Sequence, residues 1–189
     1  MAAMLEREIK LRFGSPQEAR EAVQALGAAP VRARRFQDDA LFDNEQEGLR
    51  TRRCALRIRR EGARSFVTFK GPAQPGPMKL REELETAVAD ADVLQRVLEH
   101  LDLRVWFRYQ KYREEFALDG VVVAVDETPI GTFVELEGTE AGISAAAAAL
   151  GRTTTDYILD SYCGLFTKYR EALGFRGAHM IFDEPDRIT

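Results

Sequence analysis

Histidine and cysteine are scarce in this chain, with two of each among 189 residues. His100 falls in an amphipathic helical pattern and His179 in the C-terminal tail, too few and too scattered for a histidine-based metal site or a Ser-His-Asp set. Cys54 and Cys163 lie far apart and in no ligand spacing. Both are expected to be reduced thiols of a cytoplasmic protein, since no signal-peptide pattern is visible. Long apolar runs are missing, and with them any helical membrane span. An excess of basic charge is missing too: Lys and Arg number 27 against 31 Asp and Glu, a net charge of −4, which supplies no overall field for nucleic acid. The one strongly basic stretch, residues 50–60, alternates with apolar residues as a strand does and gives little support to a nucleic-acid site. The glycine fingerprints of P-loop and dinucleotide-binding folds, and zinc spacings, are also absent.

What is present is a 45% hydrophobic, 31% charged chain, long enough for one domain spanning residues 1–189 with a proper core. A first strand, "MLEREIKLRF", precedes a helix in which Ser15 caps, Pro16 opens and Glu18 completes a capping box. Ala19, Val23 and Leu26 form its apolar stripe. Residues 31–60 read as two or three strands around the loop "NEQEG", and "SFVTFKG" follows as a hairpin partner. The proline-rich "GPAQPGPMK" reads as a mobile loop. After it come the strand "LREELETAV", a helix capped by Asp90 or Asp92, and three more strands within 105–138. An Ala-rich helix and a second helical pattern over 160–174 complete the chain, before a tail from Phe175 without clear period. The pattern predicts an α+β fold of about eight antiparallel strands, over roughly 4–138, with helices inserted between hairpins and a helical segment over 139–174.

One feature recurs along the strands. Charges sit two residues apart, hence on one face: Glu6, Glu8 and Lys10; Arg57 and Arg59; Lys70; Arg81, Glu83 and Glu85; Lys111 and Arg113; Asp126; Glu135 and Glu137. One such pair is usually a solvated face. Seven strands that use Arg, Lys, Asp and Glu in these slots, where solvated faces mix in Ser, Thr, Asn and Gln, point to an enclosed lining. Seven basic and seven acidic groups that met inside a curled sheet would have to pair or hold a ligand, because burying them unpaired costs several kcal/mol each. Arg and Lys in numbers suit a polyanion with several phosphates. Clustered carboxylates without His or Cys suit a hard cation, Mg²⁺ or Mn²⁺.

The set of motifs resembles the CYTH superfamily, the triphosphate tunnel metalloenzymes. Glu6-x-Glu8-x-Lys10 is similar to its N-terminal signature. "DDALFD" (38–43), "LRIRR", "FVTFKGP", "REELE" and "VELEG" resemble its later segments in order, over most of residues 5–138. Residues Gln37–Asp43 look closest to the class IV adenylyl cyclase and thiamine triphosphatase branch. The family often has tyrosine where Leu41 stands here. The resemblance implies an eight-stranded antiparallel barrel, open at both ends, with the charges inside and helices packed outside. Leu5, Ile9, Leu56, Ile58, Val67, Phe69, Leu84, Val134 and Leu136 would form the outer apolar face.

By the same resemblance, Arg57, Arg59, Lys70, Lys111 and Arg113 would grip triphosphate oxygens with help from Lys10 and Arg81. Glu6, Glu8, Glu135 and Glu137 would carry Mg²⁺ or Mn²⁺. Glu83, Glu85 and Asp126 would orient basic groups or water, and catalysis would rest on these three with Glu6, Glu8 and Lys10. Near the C-terminus, the resemblance implies that a terminal helix can close one tunnel mouth, with Ser161, Tyr162, Lys168 and Tyr169 as candidates to reach it, and an ordinary outer helix is the alternative. Three functions are carried forward. The first, favoured because the sequence shows no nucleobase site, is metal-dependent hydrolysis of inorganic, thiamine or nucleoside triphosphate. The others are an adenylyl cyclase and a polyphosphate-binding module without turnover. The expected partner is a small triphosphate, with neither nucleic acid nor membrane, and a homodimer is left open.

Overall fold

The computed structural model describes residues 5–182. Eight strands alternate with five α-helices: β1 (Leu5–Phe13), α1 (Pro16–Ala25), β2 (Ala29–Asp43), α2 (Gly48–Thr51), β3 (Ala55–Glu61), β4 (Arg64–Lys70), β5 (Lys79–Val88), α3 (Ala91–His100), β6 (Arg104–Leu118), β7 (Val121–Thr128), β8 (Gly131–Glu137), α4 (Glu140–Ala149) and α5 (Tyr162–Tyr169). The strands close into a barrel in the order β1-β5-β4-β3-β2-β6-β7-β8. Every neighbouring pair is antiparallel. Closure removes the free sheet edges that would otherwise invite pairing with other chains. The β6–β7 hairpin turns through Asp119 (φ 44°) and Gly120 (φ 77°), the two left-handed residues that a tight hairpin turn matching strand twist requires.

Period-two alternation sends one set of side chains outward into packed layers. The outer faces of β1, β7 and β8 are sealed by α1 and α4, through Ile9, Leu11, Val123, Val125, Val134 and Leu136 against Ala19, Val23, Ile143 and Ala147. α3 covers β2 and β3 through Ala91 and Leu98 on Ala40, Phe42 and Ile58. Nothing comparable covers β5, and Leu84 is 50% exposed. Leu5 is likewise exposed, so these two depart from the expected outer core.

Local details refine the sequence reading. The Ser15 hydroxyl accepts from the Glu18 N–H at 3.1 Å, but the Glu18 carboxylate accepts from the Gly14 N–H at 2.9 Å. The expected capping box therefore closes one residue early, on Gly14 instead of Ser15. Asp90, not Asp92, caps α3. The end of "NEQEG" and the residues just after it wind into the one-turn helix α2, where only strands around a loop are expected. The last helix is shorter than residues 160–174, because the helical hydrogen bonds give way to turns after Tyr169. Up to Phe182 the tail is ordered by pairing: Met180 bridges to Tyr109 in parallel and is fully buried. Residues 183–189 of the expected tail lie outside the described residues. No described helix is long and apolar enough to cross a membrane.

The barrel is not open at both ends. α5 fills one of them, with Tyr162, Leu165 and Phe166 packed on the inward-facing Phe107, Tyr109 and Phe133. The start of α5 is fixed by Ser161, whose hydroxyl accepts from the Gly164 N–H at 3.1 Å.

Candidate active site inside the barrel

The inward face of β1 carries Glu6, Glu8 and Lys10. The Glu8 carboxylate accepts from Lys10 Nζ at 3.1 Å and from Lys79 Nζ at 2.6 Å. Lys10 also lies 3.2 Å from Glu135 on β8, as the cross-strand register between Lys10 and Glu135 dictates. Burial alone would raise both carboxylates. Lys10 and Lys79 hold Glu8 well below its ordinary range, and Arg113 and Lys10 do the same for Glu135. Lys79 is pushed down to about 8 by burial and by the neighbouring Lys10.

Farther round, Lys70 on β4 lies 3.1 Å from Glu6 and in direct contact with Glu83 on β5. Arg81 Nε lies 3.5 Å from Glu6. Burial and a shared hydrogen bond with Glu83 raise the Glu6 carboxyl. On β3, Arg57 donates to Thr68 Oγ1 at 3.0 Å and to Glu85 at 3.2 Å, while Arg59 Nε donates to Asp39 at 2.9 Å. Among the described residues of this lining, the buried Nε–H groups of Arg57 and Arg81 find no hydrogen-bond acceptor. Buried donors of this kind are costly unless a ligand or water completes them.

The opposite wall is denser. Asp126, with 0% exposure, accepts from Lys111 Nζ at 2.8 Å, from Arg113 Nε at 2.7 Å and Nη2 at 2.6 Å, and from the Tyr162 hydroxyl at 2.6 Å. Burial would raise this carboxyl, but Arg113 and Lys111 outweigh it and hold it low. Lys111 is pushed down to about 8, first by burial and then by Arg113. Arg113 also contacts Glu135.

Thirteen of the fourteen charged residues singled out from the sequence line one cavity of about 610 Å³. The fourteenth, Asp126, lies behind that lining and braces it. Sequence reading missed Lys79, Asp39, Tyr109, Arg32, Glu115, Arg50 and Arg53. Lys79 falls in the proline-rich stretch that reads as a loop, yet β5 begins with it and pairs it opposite Glu8. Asp39 stands two residues from Gln37 and from Leu41, a spacing that could have marked it. Of the C-terminal candidates, Tyr162 and Ser161 line the cavity. Lys168 instead pairs with Asp160 at 2.6 Å on the outside. Tyr169 is 43% exposed, beside Arg12.

Of the four carboxylates expected to hold a metal, Glu6, Glu8 and Glu135 pair with Lys70, Lys79 and Arg113. Glu137 stands directly opposite Glu8 across the β1–β8 ladder, a like-charge pairing that destabilises a sheet unless something positive intervenes. Among the described residues Glu137 has no ion pair. Partial burial, and then the charges of Glu6, Glu8 and Glu135, push its carboxyl up to about 7. Its solvent-exposed edge lets water screen part of that crowding. No three acids among the described residues form a ready-made cage. A Mg²⁺ site assembled from one or two carboxylates plus substrate phosphates needs none. The donor set is all oxygen, and although Glu6, Glu8 and Glu135 are paired with lysine or arginine, Glu137 adds negative charge that nothing offsets, so the set fits a hard divalent cation.

The family model described as "CYTH domain" matches residues 4–178. A Methanocaldococcus jannaschii protein named as a candidate adenylate cyclase is 30% identical over 135 residues, covering 71% of this chain and 77% of that one. Among solved structures, a candidate adenylate cyclase from Vibrio parahaemolyticus superposes with a TM-score of 0.76 at 18% identity, covering 87% of this chain and 99% of that one. A Hippeastrum protein, described as a candidate adenylyl cyclase with a dominant triphosphatase activity, gives 0.63 at 20% identity, covering 88% and 96%. At these identities the two structures support the fold alone.

Proposed function

The chain belongs to the CYTH domain family, and we propose that it hydrolyses a triphosphate in the presence of Mg²⁺ or Mn²⁺. One observation carries this reading. Eleven basic and seven acidic side chains line the same cavity in a chain whose net charge is −4, and the excess of each sign is local. The Nε–H groups of Arg57 and Arg81, which make no hydrogen bond and only long ionic contacts of 3.4 Å to Asp39 and 3.5 Å to Glu6, face one part of the lining, and uncompensated Glu137 beside Glu8 faces another. A polyanion with its bound cation satisfies both parts, and neither half of that ligand does so alone.

Arg57, Arg59, Lys70, Lys111 and Arg113, assisted by Lys10, Lys79 and Arg81, hold the phosphate oxygens in place. Arg113 and Lys111 are kept cationic and oriented by Asp126, and Arg59 by Asp39. Glu6, Glu8, Glu135 and Glu137 are the residues that would hold the cation. When bound it would draw off the charge that develops on phosphate oxygens as the P–O bond breaks. Glu83 and Glu85 reach the cavity beside Lys70 and Arg57, where a carboxylate can orient the attacking water and accept its proton. The water oxygen bonds to the terminal phosphorus, the bond from that phosphorus to its bridging oxygen breaks, and the diphosphate end departs with that oxygen while the terminal phosphorus is released as orthophosphate. Fixed cations aimed at the developing charge supply most of the stabilisation.

The adenylyl cyclase reading is favoured by the name of the 30% identical relative, and the triphosphatase reading by the description of the Hippeastrum structure. One incubation series separates them. The purified protein, with Mg²⁺ or Mn²⁺, receives tripolyphosphate, thiamine triphosphate or ATP. Orthophosphate release is expected. Cyclic AMP with pyrophosphate would replace hydrolysis by cyclisation, and tight triphosphate binding without turnover would leave a binding module.

A further inference from the structure

Where β2 ends, β3 and β6 begin and α5 starts, the cavity lining changes character. Leu41, Cys54, Ala55, Trp106 and Cys163 line it there, with Arg50 and Arg53. Trp106 is the only tryptophan of the chain. The Arg50 guanidinium lies over its ring, 4.3 Å from the centroid. Arg50 is itself anchored: its Nε donates to the buried Asp43 at 3.2 Å. The same carboxylate accepts the backbone N–H groups of Asn44, Leu49 and Arg50 at 2.9, 2.9 and 3.0 Å. The α2 turn is thereby locked, and the guanidinium–indole pair is preorganised. Strand register sets this platform next to the phosphate grip, because Leu41 pairs with Arg57 and Ala55 with Lys70.

Inorganic triphosphate has no use for an aromatic, partly apolar wall. We propose that the Trp106–Arg50 pair is a stacking platform for a planar ring attached to the triphosphate, and that it selects nucleoside triphosphates over tripolyphosphate and thiamine triphosphate. This rests on the triphosphate reading above and adds the class of substrate to it. Bases stack on aromatic rings and on guanidinium planes irrespective of sequence. Of the two cations in this part of the lining, Arg50 is paired with Asp43 and, at 3.0 Å, with Glu47, so the net positive charge there comes from Arg53, which has no ion pair among the described residues. That charge suits a neutral nucleobase and repels the cationic thiazolium of thiamine.

The single tryptophan makes the test direct. Fluorescence of the full chain is titrated with ATP, thiamine triphosphate and tripolyphosphate in EDTA, so that no turnover intervenes. Affinity is measured in parallel by calorimetry. ATP is expected to shift the Trp106 emission strongly, and tripolyphosphate to bind with little shift. Trp106→Leu should weaken ATP about tenfold and leave tripolyphosphate within about twofold, while Trp106→Phe keeps most of the ATP affinity and guards against misfolding. Equal losses for ATP and tripolyphosphate in Trp106→Leu, or ATP binding without any change in emission, would overturn the platform while the triphosphate reading stands. Failure of the parent protein to bind any triphosphate, with Mg²⁺ or without, would overturn both.

Discussion

The β1–β8–β7 wall and the β4–β5 wall of the barrel are built on the same alternation but differ in what stands behind them. The first is buried on both faces. Outside, Ile9, Val123, Val134 and Leu136 are sealed under α1 and α4. Inside, Asp126 and Lys10 are almost without solvent contact. The second has a bare outer face at Leu84 and, inside, an exposed acid in Glu85. The difference teaches that a charged interior needs a packed exterior to hold it. Where helices clamp the strand, opposite charges lock into fixed hydrogen-bonded sets. Where nothing clamps it, Lys70 and Lys79 are still buried, but Glu85 stays open to solvent and can rearrange around an arriving ligand.

The sharpest way to break this comparison is to remove an acid from each wall. Asp126→Ala strips three cationic or donor partners of their acceptor in a dry site and should cost about 3–5 kcal/mol of stability. Glu85→Ala removes a solvent-exposed carboxylate and leaves the buried Arg57 with Thr68 and Asp39, and should cost about 1 kcal/mol or less. Urea denaturation of both variants measures the pair, and equal losses would show that the clamp is irrelevant. The outer faces give the next largest contrast. Leu136→Ala should destabilise by about 2–5 kcal/mol through lost burial and the cavity left under α1 and α4. Leu84→Ala should stay within about 0.5 kcal/mol.

These walls were unequally legible in the sequence. The inward faces of β1, β3, β5 and β8 could be read because their charges alternate with Leu, Ile and Val, so face and function coincide in one short stretch. Lys79 was lost because proline and glycine just before it signal a loop, and only pairing with β1 makes it the first rung of β5. Tyr109 shares its face with Lys111 and Arg113, but an aromatic residue reads as core until Arg57 is seen 3.4 Å from its hydroxyl. The plug formed by α5 was legible only through the family resemblance, which brings Ser161 and Tyr162 to a tunnel mouth, and the Trp106–Arg50 pair has no local signature at all. Each joins segments far apart in the chain, and tertiary closure alone brings them together. The bare exterior of β5 was hidden for the opposite reason: Leu84 follows the strand period perfectly, and period says nothing about whether a helix arrives to cover it.

The smallest effect tests the edge between the two walls, at Glu137. Its folded carboxyl titrates at about 7 against an ordinary value of 4.5, because partial burial and the charges of Glu6, Glu8 and Glu135 disfavour ionisation. Folding therefore raises its proton affinity. The folded chain holds the proton between these two values while the unfolded chain has released it, so stability falls as pH rises from about 4.5 through about 7 and then levels. Glu6 is shifted in the same direction and adds to the slope. Glu61, held at about 2 by Gln37 and Arg35 against the cost of its burial, has already given its stabilisation below this window and does not confuse it. Denaturation of the metal-free protein across this range should show the decline. Glu137→Gln should flatten it by an amount smaller than the losses above, since water screens an exposed edge. Mg²⁺ should flatten it in the wild type by replacing the missing countercharge. Parallel pH profiles for wild type and Glu137→Gln would mean that the carboxylates opposite each other on β1 and β8 are already neutralised within the protein, and that the clamped wall needs no cation.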